Sequence, residues 1–347
     1  MAKKVFVGMS GGVDSSVTAA LMVEHGYDVT GIYMKNWSQD LPGHYCPWKE
    51  DFQDAKRVAA QLGIKFKMYD FETQYKDKVV NYMIDEYKLG RTPNPDIMCN
   101  QEVKFKLFLN TALDEGADMI ATGHYARVID KQLYAAKDKN KDQSYFLCRI
   151  PKSALGRVIF PIGELDKPEV RKMAKDRGLV TATKKDSQGI CFIGKVSIRE
   201  FLSQYVKPKT GSIIDQNGKS IGTHEGALFY TIGQRQGLKV GGGLPYYVVD
   251  KDMSKNIVFV STDLADKRLW TNKLILSQLH WLDKLDVEAK NYKLRTRYRA
   301  PLIKIDSISF NDKNLLLSLD SEVRAVTPGQ SAVIYQGDHL IGSGIVI

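Results

Sequence analysis

Val5-Phe6-Val7-Gly8-Met9, followed by Ser10-Gly11-Gly12-Val13-Asp14-Ser15-Ser16, is the stretch that decides the fold of this chain. A short apolar run with β character meets a Gly-Gly turn and passes into an amphipathic segment that runs through Glu24. Strand, glycine turn and helix start are the parts of an anion site, because a helix N-terminus presents unpaired backbone N–H groups and a partial positive charge. Glycines let that backbone approach a phosphate closely, and serine hydroxyls add donors. No Lys follows the glycines, so G-x-x-x-x-G-K-[ST] is absent, as is G-x-G-x-x-G.

The pattern continues outward from that loop. Strands are expected at Lys4-Met9, Val29-Tyr33, Lys65-Tyr69 and Met119-Thr122, and helices at Asp14-Glu24, Glu50-Leu62, Glu72-Leu89 and Glu102-Glu115. Ala55, Val58, Ala59 and Leu62 carry the helical i, i+3, i+4, i+7 spacing, and Gly63 and Gly90 sit where C-caps belong. This βα alternation predicts an α/β fold whose N-terminal part is a doubly wound parallel sheet, with ligands at the carboxyl ends of its strands. The loop after Met9 and the Gly123-His124 pair after Thr122 fall at such ends. From Asp130 to Arg149 the chain turns polar and charged, and helical pattern returns over Lys167-Arg177 and Ser197-Tyr205. After about Val206, Gly, Pro, β-branched and aromatic residues replace helix formers. The expected division is 1–205 for the sheet domain, 206–272 for a small β-rich central module and 273–347 for a C-terminal β-barrel, with turns at Asn311-Asp312, Thr327-Pro328-Gly329 and Gln336-Gly337-Asp338.

Length and composition, 347 residues with 43% hydrophobic and 26% charged, suit a globular protein of two or three domains. No apolar run approaches the ~20 residues of a membrane span. Met1-Ala2-Lys3-Lys4 flows directly into the first strand, so a soluble cytoplasmic protein is expected. The formal net charge of +10 favours a polyanionic partner.

The cysteines are Cys46, Cys99, Cys148 and Cys191, with no C-x-x-C among them. Cys99 follows the stiff Pro93-Asn94-Pro95 stretch, and Asn100 is expected to cap the helix beginning near Glu102. That would set Cys99 beside a positive helix end, a setting that favours thiolate, with its polar, Pro-rich surroundings arguing against burial. Asp96 is near enough in sequence to accept a proton or orient a substrate. Cys191 lies in Lys185-Asp186-Ser187-Gln188-Gly189-Ile190-Cys191-Phe192-Ile193, which reads equally as a mobile thiolate loop or a buried strand. Arg295-Thr296-Arg297-Tyr298-Arg299 reads as a strand with three arginines on one face, suited to phosphates. Cys46 and Cys148 read as incidental thiols. Cys46 with His44 and Asp40 fits no standard metal spacing, so no metal site is expected.

S-G-G-x-D-S resembles the pyrophosphate loop of the PP-loop ATPases, or adenine nucleotide alpha hydrolases, which split ATP into AMP and pyrophosphate. Adding N-P-D-x-M-C-N around Cys99, D-S-Q-G-I-C-F-I around Cys191 and I-G-Q-R-x-G-L at Ile232-Leu238, the whole chain resembles the tRNA-specific 2-thiouridylases. The resemblance implies ATP as substrate with Mg2+, no tightly bound cofactor, and adenylylation of the C2 oxygen of a wobble uridine before sulfur transfer. It implies that Cys191 carries a persulfide, that Cys99 is the nucleophile completing transfer, with a Cys99–Cys191 disulfide as by-product, and that Asp96 is the acid/base. It assigns ATP to Gly8, Met9, Ser10, Gly11, Gly12, Val13, Asp14, Ser15, Met34 and Gly123, and the target base to Asn94, Pro95 and Asp96. It assigns tRNA to His124, Lys141, Asp142, Gln143, Arg297, Tyr298 and Gln330. The implied partners are glutamate, glutamine and lysine tRNAs and an upstream sulfur-relay protein or cysteine desulfurase, acting on a monomer. Two other readings stay open on the residues alone: an ATP-pyrophosphatase ligase or amidotransferase acting on a small molecule, and a non-catalytic tRNA-binding sulfur carrier.

Overall fold

The computed structural model describes residues 2–40, 45–186, 196–238, 240, 241 and 243–347. β1 (Lys4–Gly8) is buried after its first residue, as befits a strand with helices on both faces. Its alternation divides the core: Val5 and Val7 face one apolar cluster, Phe6 the other. The glycine turn leads into α1 (Val13–Glu24), then β2 (Asp28–Lys35), α2 (Trp48–Gln61) and β3 (Lys65–Asp70). Two long helical stretches follow, each widened by π turns. The first is α3 (Glu72–Tyr75), a π turn at Lys76–Val80 and α4 (Asn81–Lys88); the second is α5 (Pro95–Met98), a π segment at Cys99–Phe108 and α6 (Leu109–Asp114). β4 (Met119–Thr122), a hairpin of β5 (Ala126–Ile129) and β6 (Gln132–Ala135), β7 (Val158–Ile159), α7 (Lys167–Asp176) and α8 (Ile198–Leu202) complete this half.

The parallel sheet runs in the order β3-β2-β1-β4-β7. Strand order reverses between β1 and β4, so the carboxyl ends of those two strands open onto one crevice. The expected strands of this half are all present, β4 with the same ends and the others with at least one end shifted by one or two residues.

Four strands form the central sheet: β8 (Gly211–Ile214), β9 (Ser220–His224), β10 (Tyr247–Asp252) and β11 (Ile257–Ser261), ordered β10-β11-β8-β9. The last part holds β12 (Trp270–Trp281), β13 (Tyr292–Arg295), β14 (Ile303–Asn311), β15 (Asn314–Arg324), β16 (Ser331–Gln336) and β17 (His339–Val346). Their order is β12-β15-β14-β13-β16-β17, and β17 pairs back onto β12, closing a six-stranded barrel without free edges around Leu274, Leu276, Leu294, Leu315, Leu317 and Ile334.

Three local expectations are corrected. The polar stretch after Ile129 is in part the return strand β6, turned at Asp130 and Lys131, both with positive φ, and it joins the barrel sheet through the Tyr134–His339 pair. The second long helix begins at Pro95, not near Glu102: Asn94 Oδ1 accepts from the Ile97 N–H at 3.2 Å, and Pro95 opens the first turn. Finally, β13 ends at Arg295, so the three arginines do not share a strand face. Arg299 has φ 63° in the turn before Pro301, and Arg297 points inward. Arg297 Nη2 donates to the carbonyl oxygens of Ile232 (3.1 Å) and Ala325 (2.5 Å) and to Thr327 Oγ1 (2.6 Å), fastening the central module to the barrel.

That placement makes a stability prediction. Arg297→Leu removes the donor shared by Ile232 O, Ala325 O and Thr327 Oγ1, of which Ala325 O keeps the Thr327 hydroxyl, and is expected to cost about 2–3 kcal/mol, read as a lowered melting temperature. Arg299→Leu, at an exposed site, is expected to change stability by less than about 0.5 kcal/mol. Equal effects from the two would restore the surface row.

Candidate functional site

The glycine turn sits at the switch point. Gly11 has φ 73°, and a Cβ there would collide with the Asp51 carbonyl oxygen. Gly123, after β4, is pressed against the same turn, since a Cβ would stand 2.8 Å from Asp14 C and Ser15 N. Met34 Cε lies 3.1 Å from the corresponding point on Gly8. Gly8, Gly11, Gly123 and Met34, expected at the nucleotide, therefore gather around one loop. Its side chains brace it from within: Ser15 Oγ and Ser16 Oγ donate to Gly12 O at 3.1 and 2.8 Å, and the Ser10 N–H donates to Ser15 Oγ at 3.1 Å. Gly12 caps α1 without a side chain, leaving the N-terminal amides of α1 as donors for an anion.

Asp14 is held by residues that the motif does not name. Lys167 Nζ donates to both of its carboxylate oxygens, at 2.6 and 2.8 Å, and the Tyr125 hydroxyl donates to Oδ1 at 2.9 Å. Burial, then Asp14, pushes the Tyr125 phenol up, so it stays a donor. Lys167 also reaches Asp186 Oδ1 at 2.9 Å. Asp186 further accepts from Lys141 Nζ and Arg171 Nη2, each at 2.7 Å. Burial alone would raise its carboxyl, but Lys141 and Lys167 outweigh that and hold it at about 2. The segment running up to Asp186 is bolted beside the loop as well: Thr181 Oγ1 donates to Ser16 Oγ at 2.9 Å, and Lys184 Nζ bridges Asp51 and Asp54, both at 2.7 Å. Lys167 had one sequence signal, a cation at the first turn of α7, where the helix dipole disfavours it.

Asp96 and Cys99 are three apart across the junction of α5 and the π segment, a spacing that puts side chains on one helix face, with Cβ atoms about 5–6 Å apart. Contrary to expectation, Cys99 is only 1% exposed and lies inside the helix, not at its positive end. Asn100 is no cap; its Nδ2 donates to the Phe146 carbonyl at 2.9 Å. Cys191 lies outside the described residues. Cys148 is buried, which pushes its thiol up to about 11.

The expected RNA-facing residues divide. His124 is 9% exposed, bonded through Nδ1 to Thr122 Oγ1 at 2.8 Å and wedged between Phe105 and Phe160. Burial, then Lys104, drives its pKa well down, so it is a neutral packing group that seats the Cys99 helix beside Gly123. Asp142 is also turned inward, accepting from the Ala136 and Ser144 amides and from Arg295 Nη1 at 3.0 Å. Gln143 Oε1 accepts from the Tyr125 N–H. Both side chains build the turn instead of presenting it. Arg297 and Gln330 likewise have protein partners, Gln330 Nε2 donating to the Thr92 carbonyl at 2.7 Å. Tyr298 rests on Phe146, ring centres 4.4 Å apart, and lines a surface pocket with Lys139, Asn140, Arg295 and Arg299. Among the described residues no helix is long and apolar enough to cross a membrane.

Comparison with known proteins gives three family matches in tandem. Residues 3–195 match a tRNA methyl transferase HUP domain, 199–262 a tRNA methyl transferase PRC-barrel domain, and 271–346 an aminomethyltransferase beta-barrel domain. The chain is 48% identical to a tRNA-specific 2-thiouridylase MnmA of Escherichia coli strain SMS-3-5, over 99% of this chain and 97% of that one. It is 46% identical to the protein of the same name in Shouchella clausii, over 99% and 96%. Among solved structures, a 4-thiouridine synthetase–RNA complex with bound ATP aligns with a TM-score of 0.40 and 21% identity, over 58% of this chain and 50% of that one, too slight a likeness to bear on the site.

The Asp186 cluster has a pH signature. Because the folded carboxyl titrates below its unfolded value, its contribution to stability is complete above about pH 4 and lost as pH falls towards 2. Asp186→Asn is therefore expected to melt lower than wild type at pH 7, with the gap closing between about pH 4 and pH 2. A gap that does not change over that range contradicts the assignment.

Proposed function

The chain belongs to the tRNA-specific 2-thiouridylase family, and on that premise we propose that it replaces the C2 oxygen of a tRNA wobble uridine by sulfur, using ATP. The observation that carries the reading is the meeting, at one switch point, of the braced glycine loop with the helix that bears Asp96 and Cys99, joined through Phe105 and His124. A uracil C2 carbonyl is a poor electrophile and oxide a poor leaving group, so the oxygen must first be activated. In this reading the loop amides and the α1 N-terminus hold the ATP phosphates. Mg2+ accompanying ATP would draw its oxygen ligands from the phosphates and water, because Lys167 and Tyr125 already engage both Asp14 carboxylate oxygens.

The uridine O2 attacks the α-phosphorus, an O–P bond forms, and pyrophosphate leaves. Asp96 takes the N3 proton as charge builds on the base. The terminal sulfur of a Cys191 persulfide then bonds to C2, and the C2–O bond breaks with AMP as leaving group. Cys99 attacks the Cys191 sulfur and cleaves the S–S bond, leaving sulfur on the base and a Cys99–Cys191 disulfide that an external thiol reduces. A buried Cys99 is suited to a thiol shielded until the base is seated. The wobble base leaves its stack to reach this site.

We extend the proposal to RNA contacts at Tyr298 and Arg299, where an aromatic face and a cation share one surface, and to Lys141 by family resemblance. It extends also to glutamate, glutamine and lysine tRNAs as substrates, to a sulfur-relay protein or cysteine desulfurase as donor, and to a monomer in the cytoplasm. A ligase acting on a small molecule would use the loop but has no need of two thiols.

The test uses unmodified tRNA bearing a wobble uridine, ATP, Mg2+ and a protein persulfide donor, followed by digestion of the RNA. Equal amounts of AMP and 2-thiouridine are expected. Cys191→Ser and Cys99→Ser are each expected to lower transfer about 10³-fold or more while tRNA-dependent adenylylation persists. AMP formed without tRNA, and no 2-thiouridine, would sink the reading.

A further inference from the structure

The residues that lead into Asn94-Pro95-Asp96 are gripped from two sides. From the central module, Lys251 Nζ donates to the carbonyls of Gly90 (2.8 Å) and Tyr230 (2.7 Å). Met253 packs onto Gly90 so tightly that a Cβ there would stand 2.5 Å from Met253 Cγ. Thr92 Oγ1 and Thr231 Oγ1 are 3.2 Å apart. From the barrel, the turn Thr327-Pro328-Gly329-Gln330 takes both backbone groups of Thr92. The Thr92 N–H donates to the Pro328 carbonyl at 2.8 Å, and the Thr92 carbonyl accepts from Gln330 Nε2 at 2.7 Å. Gly329, with φ +92°, lets the two backbones approach this closely, since a Cβ would meet Thr92 N at 2.8 Å. Thr92 itself is 7% exposed. Arg91 adds a bidentate pair to Glu86, at 2.6 and 2.7 Å.

The chain beyond Thr92 is stiff. Pro93 and Pro95 each have a locked φ, and Asn94 between them is tied to Ile97. A displacement of Thr92 is therefore carried to Asp96 with little torsional slack to absorb it. The barrel turn is far from Asp96 in sequence, yet it reaches this strap with a side chain through the Gln330 amide.

We propose that Gln330 is a positioning residue for the reaction: by holding the Thr92 carbonyl, it sets the place of the Asn94-Pro95-Asp96 turn, so the barrel helps fix the geometry of the base site. The proposal rests on the reading of that turn as the one contacting the target base. It assigns to Gln330 a role different from a direct RNA contact, and the two roles separate kinetically. A group that binds RNA changes tRNA affinity. A group that orients reacting atoms changes the rate at saturation, since a misplacement of about 1 Å can cost about 10²-fold.

The experiment compares wild type with Gln330→Met, close in shape but without a donor, Gln330→Lys, which keeps one, and Gly329→Ala, which pushes the strap from the same side. Two quantities are read: tRNA Kd by filter binding, and the single-turnover rate of AMP formation at saturating tRNA and ATP. For Gln330→Met the Kd is expected within about twofold of wild type and the rate about 10- to 100-fold lower, with Gly329→Ala showing the same pattern and Gln330→Lys recovering most of the rate. Thermal melting of each variant identifies loss of rate by unfolding, and a Gln330→Met loss explained wholly by unfolding overturns the proposal. A tenfold weaker Kd with an unchanged saturated rate makes Gln330 an RNA contact and also overturns it, as does an unchanged rate with unchanged Kd. Failure of the underlying reading shows separately, as a wild-type chain that forms no 2-thiouridine.

Discussion

A nearly buried lysine shared by two carboxylates is the interaction on which the rest of this site depends. An ammonium out of water is costly unless opposite charges and hydrogen bonds surround it. Lys167 meets that condition by facing Asp14 of the glycine loop and Asp186 at once, with the Tyr125 ring beneath it. Its own backbone N–H donates to Asp138, which also orders the turn that presents Lys141. Three segments distant in sequence are thereby held to the first turn of α1. The cluster sets the cations Lys141, Lys167 and Arg171 against the carboxylates of Asp14, Asp138 and Asp186, a balanced network beside a helix N-terminus. The uncapped N-terminus of α1 is the part of this setting that suits a polyphosphate.

The same economy of contacts runs through the other half of the crevice. Phe105, His124 and Phe160 form a chain of rings that fixes the helix bearing Cys99 against the residue after Gly123. His124 serves this role because it is neutral; a charged imidazole would not tolerate that burial. The candidate thiol is thus positioned by apolar packing, while hydrogen bonds and charged groups hold the glycine loop. Arg297, which ties Ile232 to Ala325 and Thr327, does for the two β-rich modules what Lys167 does for the α/β domain.

The parallel sheet, its strands and the glycine loop were legible because they arise from local pattern: apolar runs, periodicity and glycine at a turn. The closed barrel was legible for a similar reason, since short strands with evenly placed turns suit closure. Features that local pattern does not carry were missed or misread. Arg295-Thr296-Arg297-Tyr298-Arg299 alternates like a strand, but Arg299 takes a left-handed turn and Arg297 finds three acceptors from other modules, a long-range outcome. Cys99 looked exposed among prolines and polar residues. Asn94 and Pro95 instead start the helix one turn earlier and draw the thiol into the core. Asp142 and Gln143 looked like a solvated charged turn, yet the amides of Tyr125, Ala136 and Ser144 and the guanidinium of Arg295 consume them. Lys167 and Asp186 gave almost no signal, because each is an ordinary charged residue until the fold brings them to Asp14.

The central claim is that the loop activates a base oxygen, and the most direct measurement traces that oxygen. A tRNA whose wobble uridine carries 18O at C2 is turned over with ATP and a persulfide donor, and the released AMP is examined by mass spectrometry. The account predicts one 18O in each AMP and none in pyrophosphate, with a stoichiometric appearance of 2-thiouridine. AMP without label while 2-thiouridine forms would mean that oxygen leaves by another route, and would contradict the account.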